Sequence, residues 1–202
     1  MSAQLALALV STIRHDGNGG VADDLADVAG LTAWLREHAE PLRGYVAGLD
    51  TSGGGEVDER TRLDVVSVRR AARTLFAVAV RPGPPSRADA TSLLSPPEAV
   101  DRLNEAAARV PVRPVLTWEQ EGTPVLTWHG EATEPWMALP AGLARAVIEF
   151  LASATREQLR ACPAPRCVRY FVKDHPRQEW CKPSCGNRAR VARHYLRHTA
   201  AG

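Results

Sequence analysis

The chain has 202 residues, a net charge of +2 and a hydrophobic content of 45%, which suits one ordinary domain with a small appendage. No stretch approaches the roughly 20 consecutive apolar residues of a membrane span, so no membrane partner is expected. The apolar start, MSAQLALALV, lacks a basic flank and an obvious cleavage site, and it indicates a buried helix rather than a signal peptide. We therefore expect a cytoplasmic protein, in which disulfides are rare.

Charge is distributed unevenly along the chain. Residues 1–155 contain 14 basic and 20 acidic residues, whereas residues 156–202 contain 11 basic and 3 acidic residues. A basic tail of this kind indicates an anionic partner, with nucleic acid the leading candidate. A solvated basic end that binds nothing specific is the alternative.

The first predicted elements are helices joined by polar loops. Apolar spacing predicts a helix over 3–13, and the run HDGNGG at 15–20 predicts a loop. Asp27 is a candidate N-cap for the next helix, which carries Trp34 on its apolar side. The glycine-rich run at 51–56 predicts a surface loop.

A long amphipathic helix is predicted over 58–80. The arginines of its polar face are Arg62, Arg69, Arg70 and Arg73. We expect this face to be solvated, as is usual for the polar side of a helix. The run RPGPPSRAD at 81–89 then predicts a turn or linker.

The second half of this domain combines helices with a hairpin. The stretch SPPE at 95–98 predicts a helix start, because serine caps well and proline fits the first helical position. The repeat PVLTW predicts a β-hairpin at about 114–129, with its leucine and tryptophan side facing the core. A further helix over about 140–160 is expected to run directly into the cysteine-rich tail.

Four tryptophans are candidate lining for a small-molecule pocket between the helices. They are Trp34, Trp118, Trp128 and Trp136. Core packing is the alternative interpretation of the hairpin tryptophans.

No catalytic constellation with useful spacing is recognisable, so no enzymatic activity is expected. The only acid–base candidates are His15, Asp16, Asp23 and Asp24. These residues surround a glycine-rich loop, and a solvated loop is the simpler interpretation. Turnover by the N-terminal domain remains the alternative.

All the cysteines of the chain lie within one short segment near its end. They are Cys162, Cys167, Cys181 and Cys185, in the pattern C-x4-C-x13-C-x3-C. Two close pairs separated by a hairpin-length spacer suit a tetrahedral metal site. Four thiolates favour one structural zinc ion, with rubredoxin-like iron or an iron–sulfur cluster as alternatives. A closed site of this kind leaves no position for a reactive water, so metal-assisted hydrolysis is not expected.

The segment around the cysteines predicts a treble-clef-like finger over 159–202, following a helical domain over 1–158. Its spacer predicts a strand at 168–172 that returns at 178–180, and a helix then opens at Cys185. Metal binding would supply most of the folding free energy of so small a unit. The predicted fold class is mainly α with a small β-hairpin.

The helix of the finger divides its polar residues between two sides at 100° per residue. The candidates for contacts with phosphates or bases are Arg190, Arg193, His194, Arg197 and, at the edge, Asn187. A merely solvated face is the alternative. Arg188 falls on the apolar side and is expected to anchor the finger, by pairing with a carboxylate such as Asp174 or with main-chain carbonyls.

The tail resembles the CGNR zinc-finger family, whose hallmark stands intact at 185–188 beside the Trp180-Cys181 step. The preceding chain looks like the ABATE domain that usually accompanies this finger, on the segments LALALVSTIR, DLADVAGLTAWL and RRAARTLF and on the tryptophan hairpin. This resemblance implies a bacterial, stress-linked transcription regulator whose finger binds DNA. We expect the helical domain to sense a small-molecule effector or to form a homodimer. A protein-interaction module without DNA binding is the alternative.

Overall fold

The computed structural model describes residues 2–49, 57–89, 93–130 and 134–199, and the loop predicted at 51–56 lies outside them. The helices are α1 (Ser2–Val10), α2 (Val28–Glu37), α3 (Ala39–Arg43), α4 (Glu59–Ala79), α5 (Pro96–Ala108), α6 (Pro135–Ala152) and α7 (Pro183–Thr199). The strands are β1 (Ile13–His15), β2 (Val21–Asp23), β3 (Val112–Thr117), β4 (Val125–Gly130), β5 (Leu159–Ala161) and β6 (Tyr170–Val172). They pair antiparallel as β1–β2, β3–β4 and β5–β6. The predicted class, mainly α with small β elements, is confirmed.

Two predicted helix starts are confirmed by their caps. Asp27 accepts a hydrogen bond from the Gly30 N–H at 2.7 Å, and Ser95 Oγ accepts one from the Glu98 N–H at 3.3 Å. Each bond satisfies a backbone donor that the helix itself leaves free, which stabilises a helix by about 1 kcal/mol. These starts fix where α2 and α5 begin.

The first helix is shorter than the sequence predicts. α1 ends at Val10, and the Thr12 hydroxyl donates back to the Leu9 carbonyl at 2.7 Å. The same hydroxyl accepts a hydrogen bond at 3.0 Å from Arg69, which lies 57 residues away. This distant contact holds the chain in a turn, after which it enters β1 rather than continuing the helix to residue 13.

Helices α1, α4, α5 and α6 pack around one hydrophobic core. Leu9, Phe76, Leu103 and Phe150, one from each helix, are at most 1% exposed. The Phe76 and Phe150 rings contact each other with centroids 5.3 Å apart. Burying each such side chain contributes about 1.5–3 kcal/mol, so these four helices form the stable body of the protein.

The arginine face of α4 is not solvated throughout, contrary to the prediction. Arg69 and Arg73 are only 5% and 4% exposed. Arg69 pairs with Asp23 at the end of β2, and Arg73 pairs with Asp89 in a 3-10 helix at Arg87–Asp89. Bidentate carboxylates offset the cost of burying a guanidinium. Segment 81–89 is therefore more than a linker, because it supplies the buried Asp89.

The β3–β4 hairpin forms as predicted, and its leucine and tryptophan side faces the core near the base but not near the turn. Leu116 lies opposite Leu126, and the two are 65% and 50% exposed, while Trp118 is 68% exposed. On the same side, Val112 and Trp128, near the base of the hairpin, pack against the helical core. The alternation identified this side correctly, but it could not reveal that the helices cover only part of it.

The connection from α6 to the finger also differs from the prediction. α6 ends at Ala152, where the Ser153 hydroxyl donates to the Phe150 carbonyl at 2.8 Å and competes with the helical hydrogen bonds. A 3-10 helix and β5 then lead to Cys162, so no helix runs directly into it. β6 pairs with β5, not with the predicted return at 178–180.

Candidate metal centre and basic helix

The four cysteine side chains converge on one point. Their Sγ atoms all lie within 4.8 Å of one another, with 3.7 Å between Cys167 and Cys181 and 3.6 Å between Cys181 and Cys185. Four thiolates placed tetrahedrally around zinc at ~2.3 Å have their sulfurs about 3.8 Å apart, whereas a disulfide needs ~2.05 Å. The four cysteines therefore fit one zinc ion and not a pair of disulfides.

Each cysteine pair is closed by a hydrogen-bonded turn. In the first turn, the Cys167 N–H donates to the Ala164 carbonyl at 3.0 Å, and Arg166 adopts the left-handed conformation with φ 62°. In the second turn, the Cys185 N–H donates to the Lys182 carbonyl at 3.0 Å. The second turn is the start of α7, so the helix itself supplies the last thiol.

The cluster is largely buried. Cys162 and Cys167 are each 5% exposed, Cys185 is fully buried and Cys181 is half-buried, and Phe171 and Trp180 pack around them. A largely buried site with four thiolates is typical of structural zinc. The chemistry that this site supplies is therefore folding of the finger rather than catalysis.

Neighbouring thiols shift the pKa values of two of the cysteines in opposite directions. Hydrogen bonds with Cys167 and Cys181 lower the pKa of Cys162. Hydrogen bonds with Cys162 and Cys167, together with burial, raise the pKa of Cys181, and the charges of the same two neighbours add to this increase. A divalent cation bound by these sulfurs would favour their thiolate forms.

Residues 185–188 make close contacts at the metal centre and on the surface of α7. A Cβ atom at Gly186 would lie 3.1 Å from a ring carbon of Trp180, so any larger residue would require this ring to shift by a few tenths of an ångström. Arg188 is half-buried, and its guanidinium donates to Cys185 Sγ at 3.1 Å. The exposed Asn187 accepts a hydrogen bond from the Arg190 guanidinium.

The predicted partner of Arg188 is not the one that it contacts. Asp174 is exposed, and its backbone N–H donates to Gln178 Oε1 at 2.7 Å. The carboxylate therefore stays in the turn after β6, and the anionic neighbour of Arg188 is the Cys185 sulfur. The i, i+3 spacing of Cys185 and Arg188 on one helix was the available sequence signal for this contact.

The basic side chains of α7 lie on an exposed surface. Asn187, Arg190, Arg193, His194 and Arg197 are all exposed. The opposite side of the same helix is exposed as well, since Val191, Tyr195 and Leu196 are 55%, 67% and 68% accessible. Along α7, therefore, the structure buries little after Ala189 and leaves the arginines accessible to a partner.

A buried polar cluster joins the finger to the helical body. The Tyr170 hydroxyl of β6 donates to Asp89 Oδ2 at 2.6 Å, and Ser86 Oγ donates to the Val168 carbonyl at 2.8 Å. Burial and the Asp89 charge raise the pKa of Tyr170, so its hydroxyl stays protonated as a donor. We call Arg73, Ser86, Asp89 and Tyr170 the latch.

Comparison with known families is consistent with this geometry. A family model named ABATE, described as "Putative stress-induced transcription regulator", matches residues 3–154. The chain belongs to the ABATE family. A second family model, the CGNR zinc finger, matches residues 158–198 and so includes all four cysteines. Neither description names an enzymatic activity, and a search of curated proteins returns no match.

The candidate acid–base residues of this ABATE protein hold loops in place. Asp23 binds Arg69, and Asp24 binds Arg14 at 2.5 Å. Asp16 accepts hydrogen bonds from the backbone N–H groups of the loop that follows it. These three carboxylates are thus engaged in structural contacts.

The four tryptophans of the ABATE segment lie in different places. Trp34 is 6% exposed and lines a cavity near the finger. Trp128 and Trp136 pack partly against the helical core, and Trp118 covers the hairpin turn, where its Nε1–H donates to the Gly122 carbonyl at 3.1 Å. Of the predicted set, Trp34 alone lines this cavity. Within the described ranges, no helix is long and apolar enough to cross a membrane.

Proposed function

We propose that this ABATE protein is a transcription regulator that contacts DNA through α7. The observation that carries the proposal is the exposure of Arg190, Arg193 and Arg197 on a helix whose first turn belongs to the zinc site. A metal-held helix start gives these side chains a fixed direction, as phosphate contacts require. The family description supports the regulatory role.

The dimensions and charge of α7 suit nucleic acid. Arg190 and Arg197 are separated by about 10 Å along the helix axis, and the major groove that admits a helix is about 12 Å wide. The segment PSCGNRARVARHYLRHT contains no acidic residue. Close approach to a phosphate backbone therefore meets no repulsive charge from the helix itself.

Docking of an acidic protein is a second candidate function. It is favoured by the exposure of Val191, Tyr195 and Leu196, because apolar residues grouped on a surface mark protein contacts more often than phosphate contacts. On this hypothesis the arginines would steer the partner and the apolar residues would hold it.

We further propose that two copies of the chain associate through the β3–β4 hairpin. A two-stranded hairpin is marginally stable alone, and here Leu116, Trp118 and Leu126 are exposed. Because PVLTW occurs in both strands, each strand contributes uncharged side chains to the same face of the hairpin. Face-to-face packing against a second copy would cover that face around a two-fold axis. A dimer that presents two fingers would also bind DNA more tightly than a monomer with one finger.

The DNA proposal is tested by fluorescence anisotropy with mixed genomic fragments at low salt. The variant Arg190→Ala/Arg193→Ala/Arg197→Ala should lose binding while keeping one zinc per chain. The control Arg36→Ala/Arg60→Ala/Arg113→Ala removes the same charge from exposed positions of the body and should bind as the native protein does. If the native protein does not bind DNA but binds an acidic protein, docking of an acidic protein is the better-supported function.

The dimer proposal is tested by sedimentation equilibrium at micromolar concentration. Native protein should sediment as a dimer, and Leu126→Lys should sediment as a monomer because a charge would be buried against its symmetry mate. Glu121→Lys, at the hairpin turn, is the control that should remain dimeric. A monomeric native protein would overturn this proposal and leave DNA binding by a single finger intact.

A further inference from the structure

A polar cavity lies where the helical body meets the finger. Its volume is about 300 Å³, at the small end of ligand sites in proteins. Trp34 and Glu37 of α2 line one part of it together with His38, the C-cap residue of that helix, and Arg169 of the finger lines another. In the sequence, Arg169 stands between Cys167 of the metal centre and Tyr170 of the latch.

Trp34, in the wall of the cavity, carries a buried donor that has no acceptor. Its side chain is largely buried at 6% exposure, and its Nε1–H makes no hydrogen bond in the described part of the chain. This nitrogen is enclosed by the protein, so Trp34 lines the cavity with atoms other than this N–H.

Two opposite charges at the cavity are also uncommitted. The guanidinium of the half-buried Arg169 and the carboxylate of Glu37 form no ion pair with any described residue. Arg169 uses only its backbone carbonyl, which accepts from the Cys162 N–H at 2.9 Å. Asp24, a further acidic group at the cavity, is neutralised by Arg14.

The aromatic side of the cavity is held in a fixed orientation. His38 Nδ1 lies 2.9 Å from the Trp34 carbonyl and donates to it, and the two rings stack with centroids 4.7 Å apart. In the neutral imidazole, Nε2 is then left as an acceptor. The stacked Trp34 and His38 rings thus form part of the cavity wall, with one acceptor at His38 Nε2.

We propose that this cavity binds a small zwitterion of the α-amino-acid type. Arg169 would hold the carboxylate, and Glu37 with His38 Nε2 would hold the ammonium group. An anion without an ammonium group would be repelled by Glu37, and a cation without a carboxylate would be repelled by Arg169. The volume leaves room for a small side chain against the stacked rings.

Ligand binding here would act on the finger. Arg169 directly precedes Tyr170, whose hydroxyl donates to Asp89 in the latch. A ligand carboxylate that moves Arg169 would therefore also change the contact between the finger and the helical body. This regulatory consequence rests on the proposed DNA-binding function. The binding of the zwitterion itself does not.

The test uses the zinc-loaded full chain without DNA. Free L-α-amino acids at millimolar concentration are the probes, and isothermal titration calorimetry is the measurement. At least one small amino acid should bind, while its N-acetyl derivative and its carboxamide should not. Binding of either blocked form as tightly as the free amino acid would overturn the proposal, as would binding of none.

Variants assign the contacts. Arg169→Gln and Glu37→Gln should each weaken binding roughly tenfold or more. The controls Arg177→Gln in the finger and Glu105→Gln on α5 remove the same charges from exposed positions and should bind as the native chain does. Zinc content and the far-UV spectrum must match the native chain, so that a loss of binding is not a loss of fold. Unchanged affinity in Arg169→Gln would overturn the proposal.

The outcome is separable from that of the proposed function. If the chain binds an amino acid but not DNA, the ligand-binding proposal is supported and the DNA-binding proposal is contradicted. DNA binding by a chain that takes up no amino acid would overturn the cavity alone. Where both occur, the amino acid should change DNA affinity in the native chain and not in Arg169→Gln.

Discussion

Arg73 and Asp89 form a buried, bidentate ion pair where the helical body meets the finger. Arg73 Nε lies 2.8 Å from Asp89 Oδ1, Nη2 lies 3.0 Å from Oδ2, and both side chains are 5% exposed. The Tyr170 hydroxyl of the finger binds the same carboxylate. One carboxylate therefore ties α4, segment 81–89 and β6 together.

Asp89→Asn should destabilise the whole chain. It leaves the Arg73 charge buried without a counter-charge, which costs about 3 kcal/mol or more. The free energy of unfolding from urea titration is the measurement. Asp101→Asn, an exposed position on α5, is the control. A loss in Asp89→Asn no larger than that of the control would contradict a structural role for the pair.

Tyr170→Phe should remove one latch hydrogen bond and keep the ring packed on Phe76, whose centroid is 5.6 Å away. A hydrogen bond to a charged group contributes about 2 kcal/mol, and zinc content should not change. Because Tyr170 and Asp89 share this bond, the double variant with Asp89→Asn should lose less than the two single losses added. Simple additivity in urea titration would show that the two residues do not interact.

Removal of zinc should loosen the body as well as the finger. Leu159 and Tyr170, which flank the cysteine cluster, belong to the core of the body. Hydrogen exchange with and without a strong chelator should therefore show faster exchange in α4 and α6 when the metal is removed. The β3–β4 hairpin, which is distant along the chain, serves as the internal reference. Faster exchange confined to 159–199 would mean that the finger and body fold independently.

Arg188→Gln should weaken zinc binding by about tenfold, which is typical for the loss of a residue that supports a metal ligand. Four thiolates around zinc carry a net charge of −2, and the Arg188 guanidinium at Cys185 Sγ offsets part of it. Competition with a chromogenic chelator measures the affinity. Arg190→Gln is the control. Arg190 lies about 3 Å farther along the helix axis and is exposed, so its substitution should leave zinc affinity unchanged. Equal affinities in the two variants would rule out this role for Arg188.

Stability at acid pH should depend on Asp23. Burial alone would raise the pKa of Asp23, but hydrogen bonds from Arg69 and the Leu25 N–H, with the Arg69 and Arg62 charges, outweigh it and lower the pKa below 3.8. Because the pKa of Asp23 is lower in the folded state, its stabilisation of the fold is complete above the unfolded-state pKa near 3.8. This stabilisation is lost as the pH falls through the folded-state pKa. Asp23→Asn should therefore flatten the stability profile below pH ~4 in urea titrations. An unchanged profile would contradict the importance of the Asp23–Arg69 pair.

The helix starts and the metal centre could be predicted because their determinants are local. The caps Asp27 and Ser95 each act on an N–H three residues ahead. The cysteine pairs likewise close over turns of a few residues, so that spacing alone indicates the site. The spacing of the cysteines did not predict which group Arg188 contacts, because a cysteine sulfur and a carboxylate are both anionic partners within its reach.

The buried arginines of α4 could not be predicted, because their partners are distant in sequence. Asp23 lies 46 residues from Arg69, and Asp89 lies 16 residues from Arg73. Helical periodicity gives the side on which a residue lies, but not what covers that side. The same limit explains the hairpin, whose apolar side packs on the core at Val112 and Trp128 but is exposed towards the turn.

The strand at β6 was predicted, but its partner was not. A return at 178–180 and the preceding segment 159–161 offer similar sequence patterns, and only the folded chain selects between them. The ladder is extended by the Cys162 N–H, which donates to the Arg169 carbonyl at 2.9 Å. The first cysteine pair thus closes the end of the β5–β6 hairpin.

The salt dependence of DNA affinity tests most directly whether zinc-held arginines of α7 bind phosphate. The logarithm of the binding constant falls linearly with the logarithm of salt concentration, by about 0.9 for each phosphate neutralised. We expect the slope for Arg190→Ala/Arg193→Ala/Arg197→Ala to be shallower than the native slope by about 2 to 3, with one zinc ion still bound per chain. A native slope and native affinity in this zinc-loaded variant would contradict the role assigned to α7.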